Sequence, residues 1–467
     1  MNKPIAYGRL IVLFLPWALA LLFSNDAALS YFIAWIGSFL IFSLTMTGWV
    51  RPIPKDLPFS EQLMRPIFLV QIIFAGYMCC TSIFYFFNAL GYEDFQKISN
   101  YYLVDQVQLD FIALVQRYYC LGHAAFATGI LLFMNYDYKP KYRVEKSQIA
   151  KLLYYAAIIT FPLSLFFLYV PGLSQFYSQL SSLSFIAGTL ALAFAIPLKK
   201  TGYILVCSVL YVFNFYEALI SGFKEPIIIS TLVLGVFLYP HYKKFVLVTF
   251  VPLMLLLFTF LPTYNRIFRE NAWAEDVDAQ DASEIALDAA LDKSNPENSN
   301  WFFLTDRLSE MDMFISFVKS TPDHVDFYRL QLVKQSAIAI VPRIFWPSKP
   351  NTEDLIMERV YDAGVVNRNS NVSAKPAFIV DAYLSYGGWG VALYLFIYGA
   401  IAQVISLKAE KLFGGYILGT ALVFSGLFQI FWRGLSFEFI TNTVFWSYVT
   451  MLVFFRILRA RSIIVEI

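Results

Sequence analysis

The stretch VPRIFWPSKP, residues 341–350, holds Arg343 and Lys349 among three prolines, beside Phe345 and Trp346. Proline fixes the backbone, so both cations can be held with little ordering cost on binding. A guanidinium matches phosphate oxygens in pairs, and an ammonium adds a point charge. The two aromatic rings are of the kind that settles at a membrane surface. These residues fit an anionic ligand of phosphate type, and the alternative is a structural segment of a loop.

A second polar stretch, YVFNFYEALISGFKEP, covers residues 211–226. Four polar residues follow one another at helical steps and share one face: Asn214, Glu217, Ser221 and Lys224. Ser221 and Gly222 loosen the helix and Pro226 restarts one, which predicts a broken corner carrying Lys224 and Glu225. Ionisable groups at membrane depth cost several kcal/mol, so they are functional candidates, the alternative being a satisfied internal pair.

A third stretch, AFIVDAYLSYGGWG, places Asp381, Ser385 and Gly388 on one helical face, with Tyr383 nearby. Arg433 and Glu438 follow at a later corner. The structural alternative for Asp381 is an ion pair with Arg368 or Lys375 that pins the preceding loop. No set of His, Cys and carboxylate residues has metal-ligand spacing, and the four cysteines lie in apolar runs, so the sequence predicts no metal site and no cofactor.

The elements that position these residues lie in a membrane. The 467 residues are 58% hydrophobic and only 15% charged, with a mean hydropathy of +0.60. The core of a water-soluble domain needs fewer apolar residues than this, so we expect an all-α polytopic integral membrane protein. The net charge of +2 is too small to favour nucleic acid as a partner.

Apolar runs predict about 12 transmembrane helices. They are Leu10–Phe23, Leu29–Met46, Pro66–Leu90, Phe111–Met134, Ala150–Tyr169, Leu180–Leu198, Tyr203–Ile220, Pro226–Tyr239, Phe245–Leu261, Phe378–Leu407, Phe413–Phe431 and Phe439–Phe455. With the N-terminus inside, every inner loop is rich in Lys and Arg, whereas the short outer loops are poor in them. This pattern predicts that both termini are cytoplasmic.

The same topology places one long loop outside and divides the chain in three. Residues 1–261 form a nine-span bundle, 262–377 the extracytoplasmic loop, and 378–467 three further spans. Within the loop, residues 301–319 have apolar residues at helical spacing and predict an amphipathic helix. The loop is rich in cations: Arg266, Arg269, Lys293, Arg307, Lys319, Arg329, Lys334, Arg343, Lys349, Arg359, Arg368 and Lys375.

The order of these features resembles the Wzy-type oligosaccharide repeat-unit polymerases of bacteria, a family similar to O-antigen ligases. SGFKEPIII, RLSEMDMF, VPRIFWPSKPN and AFIVDAYLSYGGWG carry the resemblance, which covers roughly residues 221–390. This chain has Lys224 where the family often has Arg, and Asp381 where Glu is common. The resemblance implies a glycosyltransferase C-like fold in the bacterial inner membrane. It also implies two undecaprenyl-diphosphate-linked oligosaccharides as donor and acceptor, joined at the outer face.

The implied reaction needs cations and a base. Lys224, Arg266, Arg307, Arg343, Lys349 and Arg433 are the predicted diphosphate-binding residues. They would stabilise charge on the leaving group, without a metal. Asp381 is the first candidate for the base that takes the acceptor proton, Glu225 is the second, and Tyr383 lies beside them in the prediction.

Other functions remain open at this point. An O-antigen ligase would share the donor chemistry and differ in the acceptor. A flippase for lipid-linked oligosaccharides, or another transporter, also suits twelve spans, although the hydropathy shows no two-fold repeat. Besides its lipid-linked substrates and the bilayer, the polymerase prediction allows a chain-length regulator as partner.

Overall fold

A computed structural model describes residues 7–137, 141–169, 177–220, 225–274, 278–292, 300–302, 304–305, 309–343, 345–369, 374–428, 430 and 435–467. The helices in the first half are α1 (Tyr7–Val12), α2 (Leu15–Leu22), α3 (Ala27–Met46), α4 (Pro66–Gln71), α5 (Cys80–Ala89), α6 (Gln106–Phe133), α7 (Lys146–Leu168), α8 (Tyr177–Ala195) and α9 (Thr201–Ile220). Those in the second half are α10 (Glu225–Leu238), α11 (Lys243–Arg269), α12 (Ala279–Leu291), α13 (Asn300–Phe302), α14 (Met311–Ser320), α15 (Gln331–Ile340), α16 (Thr352–Asp362), α17 (Phe378–Leu412) and α18 (Phe437–Ala460).

Other regular elements are short. A 3₁₀ turn covers Phe59–Glu61, and π-helical segments cover Ile72–Cys79, Glu270–Ala274 and Ile417–Leu427. Strands β1 (Tyr92–Glu93) and β2 (Gln96–Lys97) pair antiparallel, as do β3 (Tyr142–Val144) and β4 (Ile464–Glu466). The prediction of an all-α protein is therefore confirmed, apart from these two small ribbons.

Seven helical stretches within the described ranges are long and apolar enough to cross a membrane. They are Ala27–Met46, Pro66–Ala89, Gln148–Phe167, Thr201–Ile220, Lys243–Ala272, Phe378–Leu412 and Phe437–Ala460. Four shorter apolar helices coincide with other predicted spans: Tyr7–Leu22, Leu180–Ala195, Pro226–Leu238 and Ile417–Leu427. The remaining predicted span is α6, whose buried Gln116, Arg117 and His123 lower its mean hydropathy. These helices indicate a multi-pass membrane protein, and the number of crossings stays a prediction.

The chain forms two compact units. The first consists of residues 1–140, 304–425 and 429–453, as far as they are described, and the second of residues 141–303, 426–428 and 454–467. The predicted three-part division concerns membrane topology and stays a prediction.

Close backbone contact between α6 and α17 forms the centre of the first unit. A Cβ on Gly129 would lie 2.2 Å from the Phe396 carbonyl oxygen, and one on Gly399 would lie 2.3 Å from the Phe126 carbonyl oxygen. Small residues let helix backbones approach in this way, which favours packing where the hydrophobic effect between helices is weak. This contact holds α17, the helix that carries Asp381, against α6.

α17 is kinked eight residues after its start. Gly387 has φ +58°, a conformation that favours glycine, and Tyr386 before it also departs from helical angles. Just before the kink, the carbonyls of Leu384 and Ser385 accept hydrogen bonds from the amides of Tyr328 and Arg329 at 2.9 and 3.0 Å. The segment before α15 is thus tied to the first two turns of α17.

The amphipathic helix predicted for residues 301–319 is shorter in the structure. α14 begins at Met311, and it buries Phe314 against Tyr118 and Tyr119 of α6 and against Tyr383 of α17. Its apolar face therefore packs on the helical bundle of the first unit.

The second unit contains α7 to α12 and the β3–β4 ribbon. α11 continues past Leu261, the predicted end of the ninth span, as far as Arg269. α12 packs its alanine face on α11, where the Tyr264 and Ser283 hydroxyls hydrogen-bond at 2.8 Å. α9 ends at Ile220 and α10 begins at Glu225, and residues 221–224 of the predicted corner lie outside the described residues.

Thiol labelling tests the predicted orientation. Glu284→Cys, on the exposed side of α12, is expected to react with a membrane-impermeant maleimide on intact spheroplasts, in a Cys80→Ala background that removes the exposed native thiol. Lys55→Cys, in a predicted inner loop, is the matched control and is expected to react only after permeabilisation. The reverse pattern would invert the topology, because positive loops should face the cytoplasm.

Candidate functional site

A buried cluster of three charged side chains joins three helices of the first unit. The guanidinium of Arg359 binds Glu438 through Nη1 at 2.8 Å and Nη2 at 2.7 Å, and binds Asp381 Oδ2 through Nη2 at 3.1 Å. The side chains of Asp381 and Glu438 are inaccessible to solvent, and that of Arg359 is 2% exposed. We call these three residues the Arg359 cluster.

Each of the three helices contributes its charged residue from one of its ends. Arg359 lies in the last turn of α16, whose start is capped by the Asn351 side chain accepting from the Glu353 amide. Asp381 and Glu438 lie in the first turns of α17 and α18. Asp381 Oδ2 also accepts the Phe437 amide of α18 at 2.8 Å. Because the first amides of a helix have no partner within it, a carboxylate there is stabilising.

The two neighbouring carboxylates keep the Arg359 guanidinium protonated. Burial alone lowers the pKa of this guanidinium, but Asp381 and Glu438 outweigh that effect, so its pKa lies above the ordinary value. With both carboxylates ionised, the cluster carries one net negative charge. A buried charge of this kind is costly unless it is matched by neighbouring groups.

Three buried atoms at this centre have no hydrogen-bond partner among the residues that the structure describes. They are Asp381 Oδ1, Arg359 Nε and Ser436 Oγ, and Ser436 directly precedes the amide that binds Asp381. Buried polar atoms are nearly always paired, so each open one needs a reason. Here one acceptor, one donor and one hydroxyl have no partner. Together they could accept from and donate to a hydroxyl-bearing molecule or water.

The sequence predicted Asp381 but assigned it the wrong structural partners. Arg368 binds Glu358 and Asp362 at 3.0 and 2.9 Å, and Lys375 binds Glu353 at 3.3 Å, so neither pairs with Asp381. The partner is Arg359, which the sequence showed only as one loop cation among many. Its signal was a charge on the apolar face of α16, beside Ile356 and Val360.

Tyr383 is buried and lies two residues after Asp381 in the sequence. Its hydroxyl donates to the Thr321 carbonyl at 2.7 Å. Its ring contacts those of Tyr118, Phe314 and Phe327. These contacts attach the residues between α14 and α15 to α17. A catalytic role for Tyr383 stays a prediction.

The two cations of VPRIFWPSKP differ in their surroundings. Lys349 Nζ donates to the carbonyls of Ala339 and Val341 at 3.0 and 2.9 Å, and Trp446 Nε1 donates to Ile340 between them at 2.9 Å. The last carbonyls of α15 are thereby satisfied. Burial and nearby Arg343 lower the pKa of Lys349. Arg343 is exposed and has no ion-pair partner in the described part of the chain.

The remaining predicted site residues lie either outside the described part of the chain or in the second unit. Lys224, Arg307 and Arg433 lie outside the described residues. Glu225 is the first residue of α10, and Arg266 in α11 binds Glu270 at 3.4 Å, both in the second unit. The predicted shared diphosphate site therefore stays a prediction.

Comparison with known proteins gives the family of the chain. Residues 15–466 match the model of a family described as a domain of unknown function, DUF8712. The chain belongs to the DUF8712 family. No curated protein and no solved structure matches it significantly. Because this family description carries no activity, the resemblance to Wzy-type polymerases stays a prediction.

This DUF8712 protein has a second, partly buried ionic cluster at the other end of α17. Arg65, which is inaccessible to solvent, binds Glu410 at 3.0 Å and Asp56 at 2.6 Å. The Tyr136 ring centre lies 4.0 Å from its guanidinium carbon. The hydrogen bond from Arg65 lowers the pKa of Asp56. The part of α17 after the kink, from Gly388 to Glu410, is about 33 Å long at 1.5 Å per residue, which is about the thickness of the hydrocarbon core of a bilayer.

Proposed function

We propose that this protein is a polysaccharide polymerase that joins undecaprenyl-diphosphate-linked oligosaccharide repeat units at the outer face of the bacterial inner membrane. The Arg359 cluster carries the proposal, because it holds a buried carboxylate with one open oxygen at the start of two membrane helices. In the predicted topology, this end of α17 and α18 faces outward. Intramembrane ionisable groups are costly and are rarely kept without a function.

In the proposed reaction, the acceptor hydroxyl oxygen attacks the anomeric carbon of the donor. The bond from that carbon to the diphosphate oxygen breaks, and the hydroxyl proton passes to Asp381 Oδ1. Arg359, Glu438 and the Phe437 amide are positioning groups, since Arg359 and the amide fix Oδ2 and leave Oδ1 free. Because Asp381 is fully buried, the side chains around it must part to admit the acceptor.

Among the predicted diphosphate-binding cations that the structure describes, Arg343 is best suited to the leaving diphosphate, since it is exposed and has no ion-pair partner among the described residues. A guanidinium can meet two phosphate oxygens at once. Lys349 uses two of its three N–H donors on α15, so its first role is to hold the turn that presents Arg343. Its predicted contact with the diphosphate would use the third.

Paired variants in this turn test the proposal. Purified protein with a lipid-linked repeat unit is expected to give a ladder of polymer lengths on a gel, and Arg343→Gln is expected to abolish the ladder at unchanged thermal stability. Lys349→Met is expected to lower the free energy of unfolding by about 1 kcal/mol, since a partly exposed ammonium loses two hydrogen bonds. A normal ladder from Arg343→Gln would remove this cation from the site.

The ladder assay also separates the related activities. A ligase would transfer finished chains to a different acceptor and give no ladder with repeat units alone. Addition of one chain to a lipid A core, without a ladder, would establish that outcome.

Transport is the second candidate, and the Arg65 cluster favours it. Ionic clusters near both predicted membrane faces suit a protein that binds a ligand alternately from either side. Proteoliposomes containing a fluorescent lipid-linked oligosaccharide distinguish the two functions. A transporter moves the lipid to the other leaflet without lengthening it, whereas a polymerase lengthens it.

A further inference from the structure

The exposed surface at α15 carries both cationic and apolar side chains. From Phe327 to Thr352 the chain has no Asp or Glu. α15 buries Leu332, Ser336 and Ala339, and it packs on α17 within the first unit. Its other side exposes Val333 and Lys334, and Arg329 and Leu330 are exposed directly before the helix. With exposed Phe345, which follows the helix in sequence, we call these residues the α15 surface.

A surface that contacts only water is not expected to expose large apolar side chains of this kind. Leu330 is 55% exposed and Phe345 is 79% exposed, so large apolar groups stand beside the cations. Arg329 and Lys334 have no ion-pair partner among the described residues, and the nearest acidic residues in sequence are Asp326 before them and Glu353 after them. A helix of ten residues is also too short to cross a bilayer. Short helices with these features lie in the plane of the membrane interface.

We propose that the α15 surface docks on anionic phospholipid headgroups. The phosphate groups complement Arg329 and Lys334, while Leu330, Val333 and Phe345 reach the acyl boundary. Each cation near an anionic membrane surface contributes about 1 kcal/mol, which is roughly fivefold in local lipid preference. This docking does not depend on the proposed enzymatic activity.

A dye on α15 measures the docking directly. Ala337→Cys lies on the exposed side of α15 and is labelled with bimane in a Cys80→Ala background. The protein is reconstituted in nanodiscs of phosphatidylcholine containing a small fraction of headgroup-proximal spin-labelled phosphatidylglycerol or phosphatidylcholine. We expect phosphatidylglycerol to quench the dye at least fivefold more efficiently than phosphatidylcholine.

Two variants and a salt series separate the causes. Arg329→Gln/Lys334→Gln is expected to reduce the preference to about one, whereas Arg329→Lys/Lys334→Arg is expected to keep it. Molar salt should weaken it, because exposed charges are screened. Equal quenching by both lipids in the unaltered protein would overturn the proposal. So would a dye that neither lipid quenches but that is shielded from iodide, which would mean that a protein covers the surface. Neither result requires polymer, so the outcome is independent of the ladder assay.

Discussion

Asp381→Asn is expected to lower turnover of the lipid-linked donor by about 10² to 10⁴-fold, the usual contribution of a general base. Asparagine keeps the shape of the side chain and its amide oxygen can still accept the Phe437 N–H. It cannot take up a proton at the position of Oδ1, which has no partner among the residues described. The measurement is the rate of donor consumption by purified protein in detergent, at saturating acceptor.

The control for this variant is a carboxylate of α14 that lies outside the cluster. Asp312→Asn removes an exposed carboxylate that accepts from the Tyr85 hydroxyl at 2.7 Å, and it is expected to turn over donor at the normal rate. Turnover by Asp381→Asn within a few-fold of the unaltered protein would remove Asp381 from the chemistry. Glu225 would then be the next candidate for the base.

Arg359→Met is expected to lower the free energy of unfolding by about 3–5 kcal/mol, because it leaves two buried carboxylates without their cation. The loss is measured as a fall in Tm of the purified protein in detergent. The matched control is Arg368→Met, an arginine with two carboxylate partners that are exposed to solvent. It is expected to leave the Tm unchanged, since exposed ion pairs contribute little.

A triple variant shows whether charge is the cause. Arg359→Met/Asp381→Asn/Glu438→Gln removes all three charges at similar volume, and it is expected to recover most of the stability lost by Arg359→Met alone. It should still lack polymerase activity, because Asp381 is gone. If the triple variant were less stable than Arg359→Met, the cluster would act through packing rather than through charge compensation.

The sequence alone indicated that this protein lies in a membrane, and it predicted the positions of most helices. Runs such as Thr201–Ile220 are apolar over a length that only a membrane helix requires, and Pro226 predicts the start of α10, which begins at Glu225. These signals are local, because hydropathy and proline geometry act within a few residues. The ends were less well predicted, since α11 runs beyond Pro262 and α14 begins only at Met311.

The tertiary structure alone decided which charges meet. Arg359 binds a carboxylate 22 positions away and another 79 positions away, and nothing in either local stretch specifies the other. The same holds for Lys349, whose partners are backbone carbonyls and therefore leave no mark in the side-chain sequence. Pairing of this kind depends on how α16, α17 and α18 pack, and a buried charge accepts whichever partner that packing brings within hydrogen-bonding distance.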